Sequence, residues 1–240
     1  MTAAWKLTAE AALLKTETPS VLTTVMLQRI AGAHGTGPST STFHRWLRDL
    51  KASNKLVEVA KGVYLNRMGH KDVSPAAAAS WIRARSIVSL SWVLEQAGIT
   101  NNFGETFTCI IPTHPSWTHA QTAQRVVPGL GTFRFFTMRA DLQEETAGKL
   151  ADIRDMAFDY PRATPEKAFL DWLYLGQSHR SKLNPPPLDL AFDRLNQPRL
   201  KRLLYHAPQE ITQAFADWLQ QHQRYQADPD VQDNTGALVI

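Results

Sequence analysis

Residues 39–66 read STSTFHRWLRDLKASNKLVEVAKGVYLN, and the change of period inside this stretch decides the fold. Phe43, Trp46, Leu47 and Leu50 recur at i, i+3, i+4 and i+7, which is one apolar stripe along a helix. Ser39 and Thr40 are both good N-caps, so the helix is expected from there to about Ala52. Its opposite face carries Ser41, His44, Arg45 and Arg48. After Asn54 the pattern turns β-rich. LVEV (56–59) and VYL (63–65) are separated by Ala60-Lys61-Gly62. A Lys-Gly turn is a weaker hairpin signal than Asn-Gly, because lysine is strained at positive φ.

Upstream, residues 2–15 form a first expected helix with Trp5, Ala9, Ala12 and Leu13 on one face. Pro19-Ser20 interrupts it. Ser20 is the expected cap of a second helix running to about Ala31, with Leu22, Val25, Met26 and Ile30 inward. The run GAHGTGPS (32–39) is a turn rich in glycine. Three helices followed by a β-ribbon is the plan of a winged helix-turn-helix, in which the third helix enters the major groove of double-stranded DNA. On that plan Arg45 and Arg48 fork onto guanine or phosphate. Ser39, Thr40 and Ser41 at the helix start suit a phosphate. His44 and Lys51 lie on the same helix, and Lys61 at the ribbon tip reaches neighbouring backbone.

Charge agrees with this division. Residues 1–71 hold ten Lys/Arg against four Asp/Glu, a balance of +6, while the remainder carries −2. A basic module beside a near-neutral body suggests a polyanionic partner. At 240 residues and 20% charged, the chain is long enough to bury a core without staples. Its single cysteine, Cys109, excludes an intrachain disulfide and a cysteine-rich zinc site. The first residues do not follow a signal-peptide pattern and no run approaches the roughly 18 apolar residues of a membrane span, so a cytoplasmic location is expected.

The expected fold class is α+β, with a winged helix-turn-helix domain over 1–71, a mixed α/β domain ending in helices over 72–225, and a polar tail over 226–240. Ser74-Pro75 opens a helix through Ala84, and Ser89 caps SWVLEQA, closed by Gly98. TFTCII (106–111), ended by Pro112, and TFRFF (132–136) read as strands, with Cys109 buried in the first. Residues 151–158 are ambiguous. Thr164-Pro165-Glu166 starts a strong helix ended by Gly176. Helices follow over about 188–196, 198–206 and 208–224, the last with Ile211, Phe215, Trp218, Leu219 and His222 on one stripe. The tail is either disordered or docks through ALVI (237–240).

Catalytic patterns are not found. Gly32, Gly35 and Gly37 lack the Gly-Lys-Ser/Thr of a phosphate loop, and Gly129 with Gly131 lacks a dinucleotide fingerprint. There is no Gly-x-Ser-x-Gly elbow. His114 and His119 stand five apart beside Pro115, which is not metal-ligand spacing on a helix. Asp152 and Asp155, three apart, read as a solvated helical face. The expectation is no catalytic residue, no metal and no cofactor.

Three segments resemble AbiEi-type antitoxins. Gly62-Val63-Tyr64 resembles the end of their wing. SIVSLSWVLEQAG (86–98) is similar to a second segment, through Ser89, Leu90, Leu94 and Gly98. ATPEKAFLDWLYL (163–175) is similar to a third, through Pro165, Glu166, Lys167, Ala168, Leu170, Asp171 and Leu173. Trp92, Phe169 and Trp172 depart from it. The resemblance implies an antitoxin and transcriptional autorepressor that binds inverted repeats in its own promoter. It also implies a cognate nucleotidyltransferase-like toxin, countered without a stable complex. The alternatives are a winged-helix protein-interaction module and a transcription regulator with no antitoxin role.

Overall fold

A computed structural model describes residues 4–33, 37–101, 104–114, 116, 121–144, 148–178 and 180–228. It is mixed α and β with two small sheets, and it divides into two compact units. Met1–Ala84 with Val127–Leu130 forms one, and Arg85–Val126 with Gly131–Ile240 the other. The expected boundary at residue 71 and this division differ by the stretch 72–84. There Ser74 caps a 3₁₀ turn over Pro75–Ala78 and the short helix α4 follows over Ala79–Ile82, ending sooner than the expected Ala84. Ala76 to Ala79 are all buried, and the turn packs against a strand of the first sheet.

In the first unit the order is α1 (Ala4–Leu13), β1 (Val21–Thr23), α2 (Thr24–Gly32), α3 (Thr40–Ala52), β2 (Leu56–Ala60) and β3 (Val63–Asn66). The sheet order is β1-β3-β2, antiparallel throughout. Strand β1 corrects the sequence reading. Val21 and Leu22 do not begin a helix capped by Ser20 but pair with Leu65 and Tyr64, and Thr23 caps α2 by accepting from the Met26 N–H at 3.2 Å. The helix therefore turns a different face inward. Leu27 and Ala31 are buried, and Val25, expected inside, is exposed. The α3 stripe is buried as read, against Ala9, Leu13, Leu22, Leu27, Leu56 and Tyr64.

In the second unit the sheet order is β4-β5-β7-β6, formed by Ile87–Val88, Thr106–Thr113, Gly131–Arg139 and Gln121–Val127. β5 runs parallel to β7 from Thr106↔Thr132 to Thr113↔Arg139, and antiparallel to β4. Pro112 does not end β5. The two-residue β4 pairs only with Cys109 and Ile110, so nothing on that side needs a proline N–H. The helices are α5 (Ser91–Gln96), α6 (Leu150–Ile153), α7 (Pro165–Gly176), α8 (Gln197–His206) and α9 (Gln209–Ala227). The expected helix over 188–196 is reduced to a 3₁₀ turn at Phe192–Arg194. α7 is the hub and packs against α5, α6, α8 and α9. Phe169 meets Trp218 edge-on at 4.9 Å, and Trp218 stacks on His222 at 4.8 Å. α9 extends through Gln226 and Ala227 of the expected tail, and residues 229–240 lie outside the described residues.

Candidate nucleic-acid interface

Helix α3 starts at a cap built by its own sequence. Ser39 Oγ accepts from the Thr42 N–H at 3.4 Å and lies 3.1 Å from Ser41 Oγ and 2.9 Å from Thr42 Oγ1. These hydroxyls and Thr40 are exposed beside the free N–H groups of the first turn. The stripe below fixes the helix's rotation. Trp46 is 2% exposed and its indole N–H donates to Glu10 Oε1 at 3.3 Å. Trp5 packs edge-on against it at 5.4 Å. Lys55 completes the clamp, with Nζ 3.0 Å from Glu10 Oε2. Burial raises the Glu10 carboxyl, but hydrogen bonds from Lys55 and Trp46, with the charges of Lys55 and Lys6, outweigh it and hold the group below its ordinary range.

With the stripe inward, Ser41, His44, Arg45 and Arg48 face solvent. His44 lies edge-on to Phe43 at 5.5 Å. Arg45 and Arg48 form no ion pair or hydrogen bond with any described residue through their side chains. The same holds for Lys61, which is exposed at the tip of the β2–β3 turn. The turn resolves the lysine problem posed by the sequence. Gly62 takes the positive φ, +73°, while Lys61 does not, and a bulge between Glu58 and Ala60 absorbs the extra residue. The tip is held to α2, because the Thr24 N–H donates to the Gly62 carbonyl at 2.9 Å.

Lys51 is placed differently from the other cations. Its Nζ donates to Glu58 Oε2 at 2.7 Å, while Glu58 Oε1 accepts from the Gly62 N–H at 3.4 Å. Glu58 thus ties the last turn of α3 to the ribbon, and its hydrogen bond and charge raise the Lys51 ammonium above its ordinary value. Sequence reasoning gives Glu58 no role. An acid in a β-rich run is a generic signal, and its partners become visible only across the turn.

In the second unit the acids that read as a solvated face are committed to structure. Asp152 is not on a solvated face. It is buried and takes two hydrogen bonds from Arg202, at 2.6 and 2.9 Å, with Arg199 Nε 3.7 Å away. The Arg202 hydrogen bonds, then the charges of Arg202 and Arg199, hold its carboxyl low against burial. Asp155 lies 4.0 Å from Arg162. Glu166 accepts from the Asn196 N–H at 2.7 Å and from Arg199 at 3.0 Å. Asp171, with no exposed surface, accepts from Ser89 at 2.8 Å, from Gln143 at 2.9 Å and from Lys167. Ser89 therefore does not cap α5. Leu90 stands at that position with φ +63°, and the serine hydroxyl turns to Asp171 instead. This bond joins the segments 86–98 and 163–175. Burial pushes the Cys109 thiol up, as befits a small core residue on β5. Among the described residues no group of three or more His, Cys, Asp or Glu could hold a metal ion, and no helix is long and apolar enough to cross a membrane. His119 lies outside those residues.

Comparison with protein-family models finds no match, and none is found among curated proteins.

Proposed function

We propose that the first unit is a winged helix-turn-helix that binds double-stranded DNA through α3, with the β2–β3 ribbon as its wing. The observation that carries the reading is the pair of exposed arginines, Arg45 and Arg48, one turn apart on α3 and unpaired among the described residues. A folded helix that anchors its apolar face with an indole–carboxylate clamp, yet leaves two exposed guanidinium groups without partners among the described residues, suits an external anion. The element order and the sheet order β1-β3-β2 support the same reading.

The finer proposal is that the chain acts as an antitoxin and autorepressor of a toxin–antitoxin operon. In this proposal it binds inverted repeats in its own promoter and opposes a nucleotidyltransferase-like toxin without a stable complex. Support comes from the three AbiEi-like segments and from the Ser89–Asp171 bond between two of them. No catalytic role is proposed.

The test is fluorescence anisotropy with a duplex from upstream of the gene that carries an inverted repeat. Binding is expected to weaken steeply with salt as phosphate counterions return. Co-expression with the neighbouring gene product is expected to restore growth. Insensitivity to every upstream fragment, together with a stable co-purifying protein, would establish the protein-interaction reading instead.

A further inference from the structure

Helix α1 carries a second apolar stripe that the core of its unit does not use. Ala9 and Leu13 are buried on one side, and Trp5 packs edge-on against Trp46. On the other side Leu7 is 62% exposed and Leu14 58%, and Ala4 and Ala11 are exposed with them. At 3.6 residues per turn these four side chains fall within an arc of about 80°, opposite Ala9. Leu14 stands one residue past the end of α1 but keeps the helical pattern, since its N–H donates to the Glu10 carbonyl at 3.2 Å. The spacing i, i+3, i+7, i+10 is that of the seam positions of a coiled coil.

The polar groups beside the stripe are satisfied within the unit. Thr8 Oγ1 donates to the Ala4 carbonyl at 3.1 Å. Lys6 lies 3.8 Å from Asp49, and Glu10 is held by Lys55 and Trp46. Lys15 stands at the margin, where a long side chain keeps its ammonium in water. A second body can therefore cover the stripe without stranding a charge or breaking a hydrogen bond.

The order of the side chains selects that body. Small and large residues alternate along the stripe: Ala4, Leu7, Ala11, Leu14. When a second copy of α1 is laid antiparallel about a two-fold axis, Ala4 meets Leu14 of the other copy and Leu7 meets Ala11. Every leucine then covers an alanine, and the small residues let the helices approach closely. A parallel pair in register would set leucine on leucine and alanine on alanine, crowding one level and leaving a gap at the next. We propose that α1 is a self-association surface, which pairs antiparallel with α1 of a second copy of this chain. Such an interface is isologous and closes at two copies. The stripe is about 15 Å long and covers less than the roughly 1,600 Å² of a standard interface, so the pair is weak, with a Kd on the order of 10–100 μM. The pairing does not depend on the DNA-binding reading. Where both hold, a two-fold pair presents two copies of α3 to the two halves of an inverted repeat.

The test combines sedimentation equilibrium with cysteine cross-linking on the full chain, without DNA. The apparent mass is expected to rise from one chain toward two between about 5 and 500 μM. Leu7→Glu, at an exposed position that the fold tolerates, is expected to raise the dimer Kd by about tenfold or more. For register, Leu7→Cys and Ala11→Cys are oxidised with glutathione disulfide, separately and as an equimolar mixture. The native Cys109 is buried with its thiol pushed up, so it does not compete. The mixture is expected to form disulfide dimers about fivefold faster or more than either variant alone, because like positions are offset by about 6 Å along the antiparallel axis. A chain that stays monomeric at about 500 μM would overturn the proposal and leave the stripe to a different protein. So would self-association that Leu7→Glu does not weaken, or cross-linking no faster in the mixture than in the separate variants.

Discussion

Helices α3 and α7 are nearly equal in length, and both begin at a hydroxyl cap, yet they treat charge in opposite ways. α3 buries four side chains and turns Arg45 and Arg48 outward without partners among the described residues. α7 buries every side chain from Glu166 to Leu175, and its three charged groups are paired inside the fold with Arg199, with each other, or with Ser89 and Gln143. Charge on a helix is therefore no sign of function until its partners are known. Where the fold satisfies a charge, the charge specifies structure. Where the fold orders a helix and leaves the charge exposed, water can satisfy it, and only a binding measurement tells a solvated face from a recognition face.

The comparison breaks most readily at Asp171. Asp171→Ala leaves the Lys167 ammonium buried without its counter-charge and strips acceptors from Ser89 and Gln143. Burial already pulls Lys167 below its ordinary value against the pull of Asp171. Loss of one partner of such a pair costs about 3–5 kcal/mol. Urea denaturation should show it as a lower midpoint, with operator binding retained wherever the protein is still folded. A cost under about 1 kcal/mol would mean that the cluster is not the fastener described here.

The converse substitution is on α3. Arg45→Ala and Arg48→Ala are each expected to weaken operator binding by about 1–3 kcal/mol if they read bases. Stability is expected to move by no more than about 0.5 kcal/mol, because neither guanidinium has a partner to lose among the described residues. An unchanged operator affinity in the double variant would sink the assignment of α3.

The two helices also differ in how far they were legible. α3 could be read completely, since its stripe, its cap and its ending at Ala52 are all local patterns. α7 could be read as a helix, but the destination of its charges could not, because the partners are far along the chain: Ser89, Gln143, Asn196 and Arg199. Asp152 was misassigned for the same reason, with Arg202 fifty residues away. The missed strands were too short or too polar to show a period. β1 is VLT, β4 is IV and β6 is QTAQRVV, and each is defined by its neighbours rather than by alternation. Of the eight residues proposed for DNA, seven are exposed on the α3 start, its outer face or the ribbon tip without an ion pair, and Lys51 alone is in one.

Acid titration compares the clamps of the two units. Glu10 in the first and Asp152 in the second both have carboxyls held below their ordinary values of 4.5 and 3.8. A lowered acid contributes stability that is fully present above its unfolded value and is lost as pH falls toward its folded one. Stability at neutral pH is thus insensitive to either group, and each contribution declines only below about pH 4.5 and 3.8 respectively. Glu10→Gln and Asp152→Asn should each flatten the acid limb of the pH–stability curve for the unit concerned. Unchanged limbs would show that these ion pairs are equally satisfied in the unfolded chain.

The smallest effect concerns Lys51, which sits between the two modes of using charge. It is on α3 but it is paired, at 2.7 Å, to Glu58. Both groups are partly exposed, so the pair is worth about 0–1 kcal/mol, and Glu58→Gln should cost little stability. The same variant frees a cation at the end of the proposed recognition helix and removes a negative charge beside it. If Lys51 contacts phosphate, operator binding should tighten by roughly two- to threefold at low salt, and the advantage should disappear as salt rises. Lys51→Met should then reduce the salt slope by about one. If Lys51 serves only to tie α3 to the ribbon, Glu58→Gln weakens binding instead, because a single amide oxygen no longer accepts from both the Lys51 ammonium and the Gly62 N–H, and the wing loosens. The sign of that one change in affinity decides whether Lys51 belongs with the exposed arginines of α3 or with the paired charges of α7.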